Sequence, residues 1–151
     1  MSPSQTVMMV VDSQSEDYDT LCAMCSHREQ QFRLLRLANQ ALPLSRDPAV
    51  GLWLINVSLP DMSGFDLADM LKQESSRAPV IMVADEYCEA DELRTLSLGL
   101  AAYMCKPLEL AGLRRCCRRL TAAHAKAQLS VHFSSRVVPA HKPKRGIRWN
   151  G

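Results

Sequence analysis

Gly51 to Asp66 (GLWLINVSLPDMSGFD) constrains the fold more than any other part of this chain. Leu52 to Val57 is a continuous apolar run interrupted only by Asn56, the pattern of a strand buried on both faces of a parallel sheet. A polar side chain at the carboxyl end of such a strand stands where ligands bind in open α/β sheets, because the loops leaving the strand tips form a crevice there. Leu59-Pro60-Asp61-Met62-Ser63-Gly64 then reads as a turn. Pro60 fixes φ, Gly64 is expected to permit a left-handed step, and a helix is expected from Phe65. Strand, functional loop and helix are therefore laid out in order.

The same unit recurs along the chain. Val7 to Val11 is an apolar run ending in Asp12-Ser13, and Glu16 to Gln30 places Tyr18, Leu21, Cys22 and Cys25 at helical spacing with acids in the first turn. Phe32 to Leu37 is expected to be a second strand, with Asn39 to Arg46 a short helix interrupted by Pro43. After the central strand, Phe65, Leu67, Ala68, Met70 and Leu71 give an amphipathic helix. Pro79 to Ala84 is a fourth strand, Glu89 to Leu98 a fourth helix closed by Gly99, and Ala101 to Cys105 a fifth strand ended by Lys106-Pro107. Leu108 to about His124 is expected to be the last helix, apolar at Leu108, Leu110, Leu113, Cys116, Cys117 and Leu120 and basic at Arg114, Arg115, Arg118 and Arg119. Five strand–helix alternations imply an α/β fold with a doubly wound parallel sheet.

From Ala125 the periodicity stops. Residues 125–151 hold six Lys or Arg and no acid, with Leu129, Val131 and Phe133 spaced for one short strand. The division expected is a domain over 1–124 and a basic, largely flexible tail over 125–151. Charge follows the same division: Met1 to Pro107 carries 8 basic and 15 acidic residues, and Leu108 to Gly151 carries 10 and 1. No apolar run approaches the roughly 18 residues of a spanning helix, and MSPSQT lacks the marks of a signal peptide, so a cytoplasmic protein without a membrane partner is expected.

The central segment resembles the response-regulator receiver domains, whose pattern here is hydrophobic-Asp-hydrophobic-x-hydrophobic-Pro-x-x-(Asp/Ser)-Gly. The resemblance runs from Val7 to about Leu120 and implies five strands in the order 2-1-3-4-5. Its spacings agree as well: 43 positions from Ser13 to Asn56, 28 from Asn56 to Ala84 and 22 from Ala84 to Lys106. The functional positions depart from it. The resemblance puts the family's acidic pair on Asp12 and Ser13, its phosphoacceptor aspartate on Asn56, its hydroxyl residue on Ala84 and its lysine on Lys106. Tyr103 matches the switch aromatic. A neutral amide is no nucleophile, and magnesium, which binds through one or two carboxylates plus phosphate, is left with Asp12.

These departures imply a degenerate phosphorylation pocket, Asp12, Ser13, Asn56, Ala84 and Lys106, in a chain expected to be no enzyme and to need no cofactor. Its role would be signalling of the two-component or phosphorelay type through phosphorylation-independent contact with a protein partner, either another signalling protein or itself as a homodimer. The resemblance implies an output face carrying Tyr103, Arg114, Arg115, Arg118 and Arg119. Asp12 and Lys106 are expected to pair across the strand tips. Nucleic acid is the alternative partner, with Lys142, Lys144, Arg145 and Arg148 on phosphates and Trp149 stacking. Cys22-x-x-Cys25 with His27 lacks a second ligand pair at zinc spacing, and Ser15, Ser58 and Ser63 lack a histidine base.

Overall fold

The computed structural model describes residues 7–25, 31–74, 76–109, 111–116, 118–119 and 147–149. In chain order these give β1 (Val7–Val11), α1 (Asp19–Cys25), β2 (Gln31–Leu35), α2 (Ala38–Ala41), β3 (Val50–Asn56), α3 (Gly64–Gln73), β4 (Val80–Ala84), α4 (Glu89–Ser97), β5 (Ala102–Cys105), α5 (described over 111–116 and 118–119) and β6 (Ile147–Trp149). A 3₁₀ turn, Ser15–Tyr18, leads into α1, and another, Leu42–Leu44, follows α2 with Pro43 in its first turn. Proline there ends α2 after a single turn, because it cannot donate the next helical hydrogen bond.

Strands β1 to β5 form the parallel sheet in the order β2-β1-β3-β4-β5 that was expected. A sixth strand, β6, lies antiparallel beside β5, pairing Ala102 with Trp149, Tyr103 with Arg148 and Met104 with Ile147. Those three residues belong to the segment expected to be a largely flexible tail. Its other residues, including Leu129, Val131, Phe133, Lys142, Lys144 and Arg145, lie outside the described set, as does His27.

Strand parity sorts the core into two layers. Met9, Val11, Trp53, Ile55, Met82, Ala84 and Tyr103 pack on one face with Ala38, Phe65, Ala68 and Leu71 from α2 and α3. Met8, Val10, Leu52, Leu54, Ile81, Val83, Ala102 and Met104 pack on the other with Tyr18, Leu21, Leu113 and Cys116, which brings in α1 and α5. The strands read as near-continuous apolar runs because both faces are covered. Among the described residues no helix is long and apolar enough to cross a membrane.

The turn after β3 holds one correction. Gly64 does not take a positive φ; among the described glycines Gly99 alone does, at 70°, where α4 ends. Gly64 is required by proximity instead: a Cβ there would lie 1.9 Å from the Asn56 carbonyl oxygen and 2.8 Å from its carbon. The helix starts at Gly64, its amide donates to the Val57 carbonyl at 3.0 Å, and Ser63 caps it by accepting from the Phe65 amide at 3.2 Å. Close approach of α3 to the tip of β3 thus fixes the backbone that carries Asn56.

Candidate functional site

The five parallel strands end on one side of the molecule, and the ladder extends past their tips. The Asp12 amide donates to the Leu35 carbonyl, that of Val57 to Val83 and that of Lys106 to Ala84, each at 2.9 Å. Side chains at these positions are therefore held by backbone pairing between neighbouring strands, which is why Asp12, Asn56 and Lys106 converge although 94 positions separate the first from the last.

Asn56, 1% exposed, is the hub. Its amide nitrogen donates to Asp12 Oδ2 at 2.9 Å and to Asp85 Oδ1 at 3.1 Å. Its side-chain oxygen, Oδ1, accepts from the Ser58 amide at 2.8 Å. Both amide hydrogens are thereby engaged by carboxylates. Lys106 completes the ring, with Nζ 2.8 Å from Asp12 Oδ2, 2.7 Å from Asp17 Oδ2 and 2.7 Å from Asp85 Oδ1. An ammonium has three hydrogens, and three carboxylates surround it. Asp12 also accepts from the Tyr18 hydroxyl at 2.7 Å and the Gln14 amide at 2.9 Å. The Lys106–Pro107 peptide is cis.

The electrostatics follow from this crowding. Burial by itself would lower the Lys106 pKa, but hydrogen bonds to Asp12, Asp17 and Asp85 outweigh it and hold the ammonium well above its ordinary range. The hydrogen bond from Lys106 is the main reason the Asp85 carboxyl lies below its ordinary value. Burial, then the neighbouring Asp12 charge, push the Tyr18 hydroxyl up, so it stays a donor. Three carboxylates against one ammonium leave the cluster net negative.

Chemically the arrangement is a cation clamp: three carboxylates hold one ammonium beside the neutral Asn56 amide, and the Lys106 hydrogens that could steady an anion are directed at those carboxylates. Magnesium does not fit these residues either: Lys106 Nζ stands between Asp12 and Asp85, and no group of three His, Cys, Asp or Glu among the described residues is arranged to hold a metal ion.

The expected pair of Asp12 and Lys106 is present, within a larger network. Ser13 is exposed and outside it, and Ala84 is buried in the apolar layer with Met82 and Tyr103. Sequence reasoning missed Asp85, Asp17 and Tyr18. Asp85 was open to it, since it follows β4 as Asp12 follows β1. Asp17 and Tyr18 carried no such signal, because only the 3₁₀ turn after β1 folds them back over the tips.

Asp61, in the loop after β3, caps a different element. Its carboxylate accepts from the Ala38 amide at 2.9 Å and the Asn39 amide at 3.0 Å, so it serves as the N-terminal cap of α2 from another loop. Burial raises its pKa, but the amide hydrogen bonds prevail and the carboxyl lies below its ordinary value.

The expected output face requires correction. Tyr103 is 1% exposed, its hydroxyl accepting from the Cys88 amide at 3.1 Å. It packs on the α3 face of the sheet, whereas α5, which carries Arg114, Arg115, Arg118 and Arg119, packs on the opposite face. Alternation along β5 separates them. The exposed aromatic beside α4 is Tyr87, 58% exposed, edge-on to Tyr103 with ring centroids 6.1 Å apart. Leu93 on α4 is also exposed, at 53%.

Comparison with known proteins gives a consistent result. A family model, the response regulator receiver domain, matches residues 8–118. The transcriptional regulatory protein KdpE of Mycobacterium tuberculosis is 29% identical over 137 residues, covering 88% of this chain and 60% of that protein. The two-component response regulator ORR7 of Oryza sativa subsp. japonica is 25% identical over 116 residues, covering 75% of this chain and 55% of that one. This chain thus spans less than two thirds of the length of these curated relatives. Among solved structures, a CheY-like receiver domain protein from Methanospirillum hungatei JF-1 superposes with a TM-score of 0.72 at 20% identity, over 81% of this chain and 98% of that one. A signal receiver domain from Pseudomonas fluorescens Pf-5 gives 0.71 at 24% identity, over 80% and 98%.

Proposed function

Because the chain belongs to the response regulator receiver family, we propose that it serves two-component signalling as a non-catalytic pseudo-receiver, binding a protein partner without being phosphorylated on aspartate. The observation that carries this is Asn56. At the tip of β3, where the resemblance puts the acceptor carboxylate, stands an amide whose two hydrogens are engaged by Asp12 and Asp85. A phosphoryl donor would meet net negative charge there, and at the position of Asn56 an amide in place of an attacking carboxylate.

The contact surface we assign lies at α4 and the loop before it, where Tyr87 and Leu93 are the exposed apolar groups and Glu86, Glu89 and Asp91 supply negative charge. Arg115, Arg118 and Arg119 on α5 form a separate basic surface. An apolar pair within an acidic surround suits a partner with a basic rim, another signalling protein or a second copy through its α5. Tyr87→Ala with Leu93→Ala should reduce partner capture by the full chain at least tenfold. Addition of acetyl phosphate and magnesium should leave capture unchanged. Capture that rises with the phosphodonor would refute the proposal, and capture indifferent to the double substitution would move the contact to another face.

A further inference from the structure

The two edges of the sheet are differently defended. An edge strand presents unpaired amide and carbonyl groups, and charged residues within it discourage pairing with another chain. The β2 edge, QFRLL, carries Arg33 in its middle, with Gln31 at one end and Arg36 just beyond the other. The β5 edge, AYMC, carries no charge, and Ala102, Tyr103 and Met104 are all buried. Beside this strand lies β6, Ile147–Trp149, which brings a charged residue, Arg148, into the edge position.

We infer that Ile147–Trp149 is a guard strand: it closes the uncharged edge of β5 from within the same chain, and so keeps β5 from pairing with the β5 of a second copy. Three residue pairs make a short ladder, so the cover can be released where the strands beneath cannot. Same-chain pairing is favoured over exchange between copies because covalent linkage makes the pairing intramolecular, with an effective concentration of roughly millimolar order, far above a micromolar protein solution.

In an antiparallel pair, alternate residues direct their amides at the neighbour, so of two adjacent positions one always donates across the ladder. Ile147→Pro with Arg148→Pro therefore removes a cross-strand donor whichever register of hydrogen bonding holds. The test is residue-resolved amide exchange on the full chain, paired with sedimentation over a range of protein concentrations. In the unmodified chain, β5 amides directed away from β4 should exchange about tenfold or more slowly than β2 amides directed away from β1, the worth of about one net hydrogen bond. In the double variant that protection should vanish at concentrations where the chain is monomeric while β1 and β3 remain protected, and with rising concentration the sedimenting mass should rise from one copy toward two as β5 protection returns. Equal exchange at the two edges of the unmodified chain would overturn the inference, and this arm stands even if the variant fails to fold. A double variant whose β5 stays protected while monomeric, or whose unprotected β5 leaves it monomeric at all concentrations, would overturn it as well. An unmodified chain that is already a dimer and loses β5 protection on dilution would show exchange between copies and contradict same-chain closure.

Discussion

Lys106 stands at the centre of the strand-tip network, and replacing it with methionine keeps much of its length while removing the charge. Its side chain is 10% exposed and that of Asp12 1%, whereas Asp17 and Asp85 are 36% and 54% exposed. The exposed partners can rehydrate, and each such contact is worth about 0–1 kcal/mol. Asp12 cannot. Stranding one member of a buried pair costs about 3–5 kcal/mol, and Asp12 would keep its hydrogen bonds from Tyr18, Asn56 and Gln14, which places the loss at the lower end, about 3 kcal/mol. For a chain of this size that corresponds to a fall in Tm of about 6–12 °C. Adding Asp12→Asn should restore at least half of the loss, because the uncompensated charge is then gone. Urea unfolding followed by circular dichroism, with an unchanged m-value, measures all four corners of the cycle. A loss under about 1 kcal/mol for Lys106→Met, or effects of the two substitutions that simply add, would refute the pairing argument.

Three further outcomes are expected. Gly64→Ala must push the added methyl away from the Asn56 carbonyl, 1.9 Å distant, and should cost about 3 kcal/mol, the upper range for overpacking; an unchanged urea midpoint would show that α3 moves freely. Asp61→Ala uncaps α2 and should cost about 1 kcal/mol, with Asp61→Asn milder, and equal Tm values for all three proteins would exclude capping. Asp85 has a depressed folded pKa, so its contribution is present above the ordinary carboxylate value near 3.8 and is lost as pH falls through the folded value, while Lys106, raised above 10.5, adds no slope on the acid side. Asp85→Asn should accordingly flatten the acid limb of stability against pH, and identical acid limbs would contradict the Lys106–Asp85 contact.

The sheet was legible in the sequence because its strands are covered on both faces and so read as plain apolar runs, with polar residues only at their tips. That pattern located Asp12, Asn56 and Lys106 correctly. It could have located Asp85, which follows Ala84 at the same place relative to its strand. Gly64 was recognised as necessary for the wrong reason, since a close approach between α3 and the Asn56 carbonyl is a tertiary fact that a local turn preference does not contain. Tyr103 was expected on a surface with the α5 arginines, yet the two-residue period of β5 buries it on the opposite face and leaves Tyr87 exposed in its place. Ile147–Trp149 carried too few residues to announce a strand, and only the bare edge of β5 gives it a partner.

Asn56 stands where the resemblance puts the phosphoacceptor, and intact-mass measurement after incubation with acetyl phosphate and magnesium tests the consequence directly. The full chain should gain no phosphoryl group and no hydroxylamine-labile bond at any aspartate, Asp12, Asp61 and Asp85 included. Stoichiometric addition of one phosphoryl group on an aspartate would contradict the pseudo-receiver assignment.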